Sequence, residues 1–578
     1  MRGWYCSSCV AFSIVLFTLI SGCSEDDSGD DDSDAEAAAS DDDVLDEDDD
    51  ADDDAGDDDL TDDDAEPYRG WMRPCDIDGE PGGEFAVVES YPDDTNAPYR
   101  LHVVRPDGTE VGSFDVEHRN STYTYIDVDL ANLDNDAQCE IVVRVAYQDI
   151  VANTYENRVR VFDGANFEVA FDTGLESERI AYLETGIDVN GGGLDLILYG
   201  FPTWSGSSTI DVYDGHAGYE ELWHQTGSWD NAFLLMGRRH ETGAAIEACE
   251  TTEGPAFALL RYPMYQGEAG DWRAMWIDPE GSTISTVGPI AVDAAEKIDA
   301  DLMPTTGADE CALMVASVDA GETISRYRLF DPSGDLLHEE ALDVGGTWYG
   351  RADGDLDGDG EADIALRTTD YDATKGVWAA LSSENYAAAR PIVTSAGEET
   401  IEPALWRTKP WLQSGVDLGG GEPNFYVGPF IEANLFGGKV TWKSVGPDLS
   451  LTGLDLTVHM GAAVDFGGDA LAYWARDGRP VIALNAWSVY YTAAKGPVPI
   501  EHGRWAQFDA GQTSAFWLSD EPTSNFTIGP IFDLNGDGGA EILQRYGEQP
   551  LTVFEVNDGM SEAWVGGERD DAIIGEWY

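Results

Sequence analysis

The stretch DLDGDGEADIAL, Asp355–Leu366, places five acidic side chains within nine residues and then continues into an apolar run. Carboxylates this close repel one another and raise each other's pKa unless a positive charge lies between them. The whole chain has 113 acidic and 31 basic residues and a formal net charge of −82. A further local excess of acidic residues beside a buried segment therefore suggests a bound cation. Recurrence of the same pattern elsewhere in the chain would strengthen this interpretation.

The same arrangement does recur, at intervals of roughly 50 to 60 residues, which is the spacing of a supersecondary repeat. Each copy has oxygen-bearing side chains at positions 1, 3 and 5, a small residue near position 6, an acid near position 9 and then an apolar strand. The other clear copies are Asp533–Leu543, Asn132–Val143 and Asp76–Val88; weaker copies begin at Asp188 and Asp417, and degenerate ones lie near Cys249, Asp299 and Asp477.

A strand, a tight turn and a second strand come after these loops with the same rhythm. Turns with glycine or proline between alternating apolar residues predict β-hairpins. The turns are centred on Gly108, Gly164, Gly215, Gly281, Gly334 and Gly559. No stretch has a sustained helical period, so each unit consists of four antiparallel strands.

These units predict an all-β fold, namely a β-propeller of four-stranded antiparallel blades, because a single blade cannot bury both of its faces. About nine units can be counted from the two signals together. We expect seven to nine blades, since the region from Val464 to Trp505 could be an insertion or an irregular blade.

The N-terminal residues resemble a bacterial lipoprotein signal. Residues 10–20 form an apolar segment that is too short to span a bilayer comfortably, and LISGC then ends at Cys23. We predict a signal peptide over residues 1–22 and lipidation of Cys23, with an ordinary signal peptide or an uncleaved anchor as the alternatives. We expect residues 23–66 to form an acid-rich, disordered tether and residues 67–578 to form the propeller domain.

The predicted location is the outer membrane or the cell surface, where the chain would be held by its lipid anchor. Ser24 follows the lipidated cysteine, and by resemblance to other lipoproteins this indicates the outer membrane. The scarcity of basic residues argues against nucleic acid as a partner, because phosphate neutralisation needs clusters of Lys and Arg.

The pattern D-x-[DN]-x-D-G-x-x-[DE] followed by a strand resembles the FG-GAP repeat, which is related to the VCBS repeats of bacterial surface proteins and to the integrin α-subunit propeller. Ca²⁺ takes six to eight oxygen ligands, and alternate residues of a tight loop can supply them. The predicted Ca²⁺ ligands are Asp355, Asp357, Asp359, Glu361 and Asp363; Asp533, Asn535, Asp537, Gly539 and Glu541; Asn132, Asp134, Asp136 and Glu140; Asp76, Asp78, Glu80 and Glu84. Glu361 and Gly539 would contribute backbone carbonyls.

The acidic loops allow two other interpretations. An EF-hand needs Glu at position 12 and flanking helices, whereas position 12 of the first loop is Leu366 and a strand follows. Acidic turns that bind no metal remain the alternative, since the whole protein is acidic.

Cys75, Cys139, Cys249 and Cys311 remain once the signal peptide and the lipidated cysteine are set aside. Each of the two pairs in chain order falls in acidic-loop regions of consecutive units. We predict the disulfides Cys75–Cys139 and Cys249–Cys311, each linking adjacent blades, with four separate thiols as the alternative.

The sequence contains no nucleophile elbow, no zinc spacing and no phosphate-binding glycine loop before a helix. We therefore expect a protein without enzymatic activity, a calcium-stabilised display and adhesion module for a protein or glycan ligand. The alternatives are a calcium-assisted polysaccharide-active enzyme, such as a lyase, and a purely structural component of the envelope.

Overall fold

The structure is a computed structural model that describes most of the chain between Cys75 and Ile573. Residues outside this description are 1–74, 80–82, 90–97, 117–122, 150–153, 175–178, 202–206, 229, 240–245, 252–253, 264–268, 294–297, 305–310, 322–324, 343–347, 355–362, 369–374, 382–385, 387–389, 396–399, 402–424, 435–436, 447, 461–464, 477–478, 492–498, 510–514, 516, 519–526, 533–539, 545–551, 558, 566–569 and 574–578. Among the described residues every regular element is a β-strand, and none of them forms a helix that could cross a membrane.

The first half of the described chain contains strands that alternate apolar, core-facing residues with more exposed ones. They are β1 (Phe85–Glu89), β2 (Tyr99–Val104), β3 (Glu110–Val116), β4 (Tyr123–Ala131), β5 (Glu140–Asp149), β6 (Thr154–Phe162), β7 (Val169–Asp172), β8 (Arg179–Ile187), β9 (Asp195–Phe201), β10 (Thr209–Asp214), β11 (Glu220–Thr226), β12 (Asn231–Met236), β13 (Arg238–Arg239), β14 (Ile246–Glu247), β15 (Cys249–Thr251), β16 (Gly254–Pro263), β17 (Gly270–Ile277) and β18 (Thr283–Val292).

The second half continues in the same manner. Its strands are β19 (Ile298–Pro304), β20 (Cys311–Ser317), β21 (Ser325–Phe330), β22 (Leu336–Leu342), β23 (Trp348–Gly354), β24 (Asp363–Thr368), β25 (Lys375–Ala380), β26 (Arg390–Ser395), β27 (Thr400–Ile401), β28 (Phe425–Asn434), β29 (Gly437–Val445), β30 (Leu456–Met460), β31 (Asp465–Arg476), β32 (Arg479–Tyr491), β33 (Pro499–Asp509), β34 (Trp517–Leu518), β35 (Thr527–Phe532), β36 (Ala540–Gln544), β37 (Thr552–Asn557), β38 (Gly559–Val565) and β39 (Asp570–Ile573).

The described strands form nine sheets, which we number as blades 1 to 9 in chain order. Seven are four-stranded, and in most blades the strands are hydrogen-bonded in the order in which they occur in the chain, each antiparallel to the next. The first strands of neighbouring blades lie side by side, as β4 does with β8 and β19 with β23. The fold is therefore a β-propeller with the first strand of each blade innermost, at the upper end of the predicted range of seven to nine blades. The described residues of the region from 464 to 505 lie in β31, β32 and β33 of a regular four-stranded blade.

The chain termini close the ring within blade 1. This blade takes only β1, β2 and β3 from the N-terminal side, and β39 pairs antiparallel with β1, Ala86 opposite Ile573. β39 thus occupies the innermost position that β4 occupies beside β5 in blade 2. Closure in this way covers the edge of β1 that would otherwise be unpaired.

Blade 4 departs from the simple plan between its first strand, β12, and its second, β16. The short hairpin β13–β14 extends toward blade 3, where Ile246 pairs in parallel with Ile187 at the end of β8. β15 then pairs with β16. The blade 4 insertion therefore adds backbone hydrogen bonds between two adjacent blades.

The hydrophobic core lies between the blades. Trp272 and Trp276 of β17 are fully buried between blades 4 and 5, where they pack with Leu313 and Val315 of β20. Similar clusters join blades 1 and 2, blades 2 and 3, blades 3 and 4, and blades 5 and 6. Burial of large aromatic side chains supplies much of the free energy that holds blades together.

The acidic loops and the glycine turns lie on one side of the ring. In blades 2 and 3 the acidic loop connects the first and second strands, and in blade 1 it leads into β1, the second strand of that blade; each glycine turn connects the third and fourth strands. In an antiparallel sheet these two connections lie at the same end of the strands. We call this side the loop face.

Candidate metal centres on the loop face

The acidic loops of blades 1, 2 and 3 share one structural feature, a buried carboxylate where the second strand begins. In each loop this carboxylate accepts a hydrogen bond from the backbone amide of the second loop residue. The pairs are Glu84 with Ile77 N at 2.8 Å, Glu140 with Leu133 N at 2.6 Å, and Asp195 with Val189 N at 2.7 Å. The bond draws the loop around the carboxylate and brings the earlier acids close to it.

The blade 2 loop gathers three carboxylates. Ligand oxygens of Asp134, Asp136 and Glu140 all lie within 4.8 Å of one another. The amide of Asp136 donates to Asp134 Oδ1 at 3.0 Å, and Asn135 between them has φ of 63°, a left-handed conformation that asparagine tolerates. The loop is therefore folded tightly enough to present several oxygens to a single ion.

Two buried oxygens near these carboxylates accept or donate no hydrogen bond within the described part of the chain. They are Oδ1 of Asn132, the first loop residue, and the hydroxyl of Tyr219. Tyr219 is only 7% exposed, and Glu140, Asp134 and Asp163 all raise the pKa of its hydroxyl after the larger effect of burial. Unsatisfied buried oxygens are rare in proteins, and a bound ion or water is one explanation for them.

The electrostatics of the blade 2 loop favour a cation. The pKa of Glu140 is raised to about 7: burial is the main cause and the nearby Asp134 and Asp136 add to it, while backbone hydrogen bonds from Leu133 and Asp134 lower it. Among the described residues no basic side chain forms an ion pair with these three acids. The donor set of carboxylates and an amide oxygen suits a hard divalent cation such as Ca²⁺.

The blade 1 loop gathers the same kind of carboxylates but differs in its neighbour. Oxygens of Asp76, Asp78 and Glu84 also lie within 4.8 Å of one another. Arg105 Nε, however, lies 3.1 Å from Asp78 Oδ2 and 3.8 Å from Glu84 Oε1. The pKa of Glu84 is raised to about 7, chiefly by burial; the backbone hydrogen bond from Ile77 and, as a smaller effect, Arg105 lower it. This donor set fits a metal less well, because a guanidinium group already lies against it.

The blade 3 loop is more complete than its sequence indicates. Asp195 is 1% exposed and accepts bonds from Val189 N and, at 3.3 Å, from Gly215 N. Burial raises the pKa of Asp195 to about 7, with Asp188 and Asp214 contributing in the same direction. Asn190 Nδ2 donates to Asp214 Oδ2 at 2.6 Å, which ties this loop to the β10–β11 turn.

The loops of blades 2 and 3 are also bonded to each other. Asn135 Nδ2 donates to the carbonyl of Gly192 at 2.5 Å, and Nδ1 of His216 lies 3.1 Å from the carbonyl of Asp134. A Cβ placed on Gly215 would lie 2.6 Å from the carbonyl oxygens of both Leu133 and Leu194. The glycine turn of blade 3 is therefore packed directly against two acidic loops.

The predicted disulfides are both present. Cys75 and Cys139 are bonded with a Cα–Cα distance of 5.7 Å, and Cys249 and Cys311 with 5.6 Å. The first links the loops of blades 1 and 2, and the second links β15 to the start of β20 in blade 5. Both predictions, the pairing and the connection of adjacent blades, are confirmed.

Several predicted residues lie outside the described part of the chain. They are Cys23, Glu80, Asp355, Asp357, Asp359, Glu361, Asp533, Asn535, Asp537 and Gly539. Asp363 is described as the buried first residue of β24, 1% exposed, which matches the place of Glu140 in β5. Glu541 lies in β36 opposite Phe532 and Glu555.

Sequence reasoning did not select the residues that face the loops from the third-strand turns and from the next blade. These are Arg105, Asp163, Asp214 and Tyr219, together with Asp195, whose loop is one residue shorter than the motif. The hairpin signal located their turns, but the loop motif contains no position for them.

No protein-family model matches the chain, and no curated protein matches it. Solved structures similar to it include a eukaryotic initiation factor, 9% identical over 83% of this chain and 96% of that chain with a TM-score of 0.43. The Dos1 propeller is 10% identical over 66% and 84% with a TM-score of 0.34, and the WD40 domain of SCAP from fission yeast is 10% identical over 73% and 92% with a TM-score of 0.31. At such low identities and TM-scores, these similarities indicate nothing about activity or partners.

Proposed function

We propose that the protein is a lipid-anchored, calcium-stabilised β-propeller that is displayed on a bacterial envelope and binds a protein or glycan partner. The observation that carries the proposal is the blade 2 loop, where Asn132, Asp134, Asp136 and Glu140 present oxygens without a basic partner among the described residues. These four residues would hold Ca²⁺, as the resemblance to FG-GAP repeats implies.

The metal would supply charge neutralisation and cross-linking. Bound Ca²⁺ would keep Glu140 ionised despite its burial and would fix the loop between the first and second strands of blade 2. Because the loops of blades 2 and 3 are bonded through Asn135 and His216, stiffening one loop would stiffen its neighbour. A preorganised loop face loses less conformational entropy when it binds a partner.

The tether supports the display part of the proposal. Cys23 would carry the lipid, and the acid-rich stretch that follows would extend by self-repulsion and hold the propeller away from the membrane. Lipidation is tested by metabolic labelling with a fatty acid in the native host or a related bacterium, comparing the natural chain with Cys23→Ser. The proposal expects label and membrane association only in the natural chain, and equal labelling would contradict the anchor.

Binding is tested by applying the purified full chain to a glycan array and to intact cells of related bacteria, each with calcium and with chelator. Calcium-dependent retention on either surface supports a binding module. Retention on neither surface would contradict it and would favour the structural role, and release of unsaturated sugars from acidic polysaccharides would instead identify a lyase.

A further inference from the structure

The residue that follows the third strand differs in charge between the first three blades. In blade 1 it is Arg105, directly after β2; in blade 2 it is Asp163, directly after β6; and in blade 3 it is Asp214, at the end of β10. All three precede the glycine turn on the loop face, next to the acidic loop of their own blade.

Arg105 lies where a cation is needed. Its guanidinium group contacts Asp78 through both Nε and Nη2, and Nε is 3.8 Å from the carboxylate of Glu84. The side chain of Glu84 is 2% exposed and that of Asp78 is 14% exposed, whereas the side chain of Arg105 is 38% exposed, so solvent screens these contacts in part. An arginine is always charged and can contact two carboxylates at once.

Asp163 has the opposite effect in blade 2. It adds a fourth acid to the neighbourhood of Glu140 and Asp134, since all three act on the hydroxyl of Tyr219. Oδ1 of Asp163 also accepts a hydrogen bond within its own turn, from Ala165 N at 2.8 Å. The two loops thus have matching carboxylate clusters but oppositely charged neighbours.

We propose that Arg105 is a tethered cation that takes the place of the divalent ion in blade 1. The blade 1 loop then binds no calcium, although its residues match the motif, and the dependence on calcium begins at blade 2. The inference rests on the proposed function only in treating the blade 2 loop as a calcium site. Its consequence is that blade 1, where β39 closes the ring, keeps its loop folded when environmental calcium falls.

The test compares calcium bound per folded chain, measured by equilibrium dialysis of the full chain with radioactive calcium. The Arg105→Asp variant gives blade 1 an aspartate at the position that Asp163 has in blade 2. It is expected to bind one more ion than the natural chain, because the substitution removes the internal cation and adds a ligand. The matched control Arg105→Lys keeps the positive charge and is expected to bind the same number as the natural chain. The proposal would be overturned if Arg105→Asp bound the same number of calcium ions as the natural chain while both disulfides were formed and its far-UV circular dichroism spectrum still showed β-sheet.

If Arg105→Asp does not fold, a second pair of variants tests whether the blade 1 loop binds calcium. Asp78→Asn is expected to leave the bound calcium unchanged, and a loss of one ion would overturn the inference. Asp134→Asn is expected to lose one ion, and no loss there would contradict the proposed calcium site of blade 2 rather than the role of Arg105.

Discussion

At the scale of single residues, the loop face depends on carboxylates that are buried where a strand begins. Glu84, Glu140 and Asp195 occupy this place in three successive blades, each bonded to a backbone amide two residues into its loop. Burial disfavours their ionised forms and raises the pKa of each carboxyl to about 7, so a nearby cation, several hydrogen-bond donors or protonation must offset the burial. The nearby cation is Arg105 in blade 1 and, by our proposal, Ca²⁺ in blade 2.

A glycine is required where the blade 3 turn contacts two loops. Gly215→Ala would place a methyl group 2.6 Å from the carbonyl oxygens of Leu133 and Leu194. We expect a loss of about 1–3 kcal/mol in the free energy of unfolding, the usual effect of overpacking. Gly186→Ala is the matched control, because its Cβ would meet nothing within 4 Å and its φ is not left-handed. Urea denaturation of both variants measures the effect, and equal stabilities would contradict the close packing of this turn.

Asp129 predicts a pH dependence that arises between blades 2 and 3. It is 3% exposed, accepts a hydrogen bond from Thr185 Oγ1 across the blade boundary at 2.5 Å, and has its pKa raised by burial from 3.8 to about 6. A raised pKa means that this group stabilises the fold below about pH 4 and that the contribution is lost as the pH rises through about 6.

The Asp129→Asn variant has an uncharged side chain at every pH, so it does not lose stability through ionisation at this position. We expect the stability of the variant relative to the natural chain to rise by up to roughly 3 kcal/mol between about pH 4 and about pH 7. Urea denaturation across this range is the measurement. Parallel stability curves for the two proteins would show that Asp129 does not titrate as its burial requires.

At the scale of elements, the disulfides hold neighbouring loops together. Cys75–Cys139 closes a segment with a sequence separation of 64. Replacing both cysteines by serine is expected to reduce the free energy of unfolding by on the order of 4 kcal/mol, by the chain-entropy model. Differential scanning calorimetry under oxidising conditions measures it, with Cys249→Ser/Cys311→Ser as the comparison for another pair of blades. Unchanged melting of both variants would mean that interblade packing alone fixes the loops.

The strands and hairpins could be predicted because their signals are local. Alternation of apolar residues, the glycine turns at Gly108, Gly164, Gly215 and Gly281, and the acidic loops each lie within about a dozen consecutive residues. The cysteine pairing followed from the same rhythm, since the two cysteines of each pair fall in acidic-loop regions of consecutive units.

The partners of the loops could not be predicted in this way. Arg105 meets Asp78 across 27 residues, and Tyr219 comes close to Glu140 only because blades 2 and 3 pack together. The role of Asp195 in the blade 3 loop could not be predicted from the motif either, because this loop is one residue shorter than the motif. The contacts of Arg105 and Tyr219 join residues that are far apart in the chain and have no short sequence signature.

At the scale of the whole molecule, the ring is closed by four residues from its C-terminal end. β39 supplies the innermost strand of blade 1, and consecutive blades bury apolar cores between them. Removal of this strand would expose the edge of β1, and unpaired edges promote association between chains.

A chain that ends after residue 569 tests this closure. We expect a lower melting temperature and concentration-dependent oligomers, because β1 loses its backbone partner β39. Analytical ultracentrifugation and thermal melting measure both effects, and a control that ends after residue 573 retains the strand. A monomer with unchanged melting would contradict closure through β39.

The most direct test of the central claim is a thermal melt of the full chain with calcium, with magnesium and with chelator, repeated for Asp134→Asn and Asp78→Asn. A site with a dissociation constant near 10⁻⁴ M would stabilise the fold by about 2.7 kcal/mol at about 10 mM calcium. We predict a higher melting temperature in calcium than in chelator or magnesium, a smaller shift for Asp134→Asn, and an undiminished shift for Asp78→Asn. Identical melting of the natural chain with calcium and with chelator would contradict the claim that a divalent ion neutralises these loops.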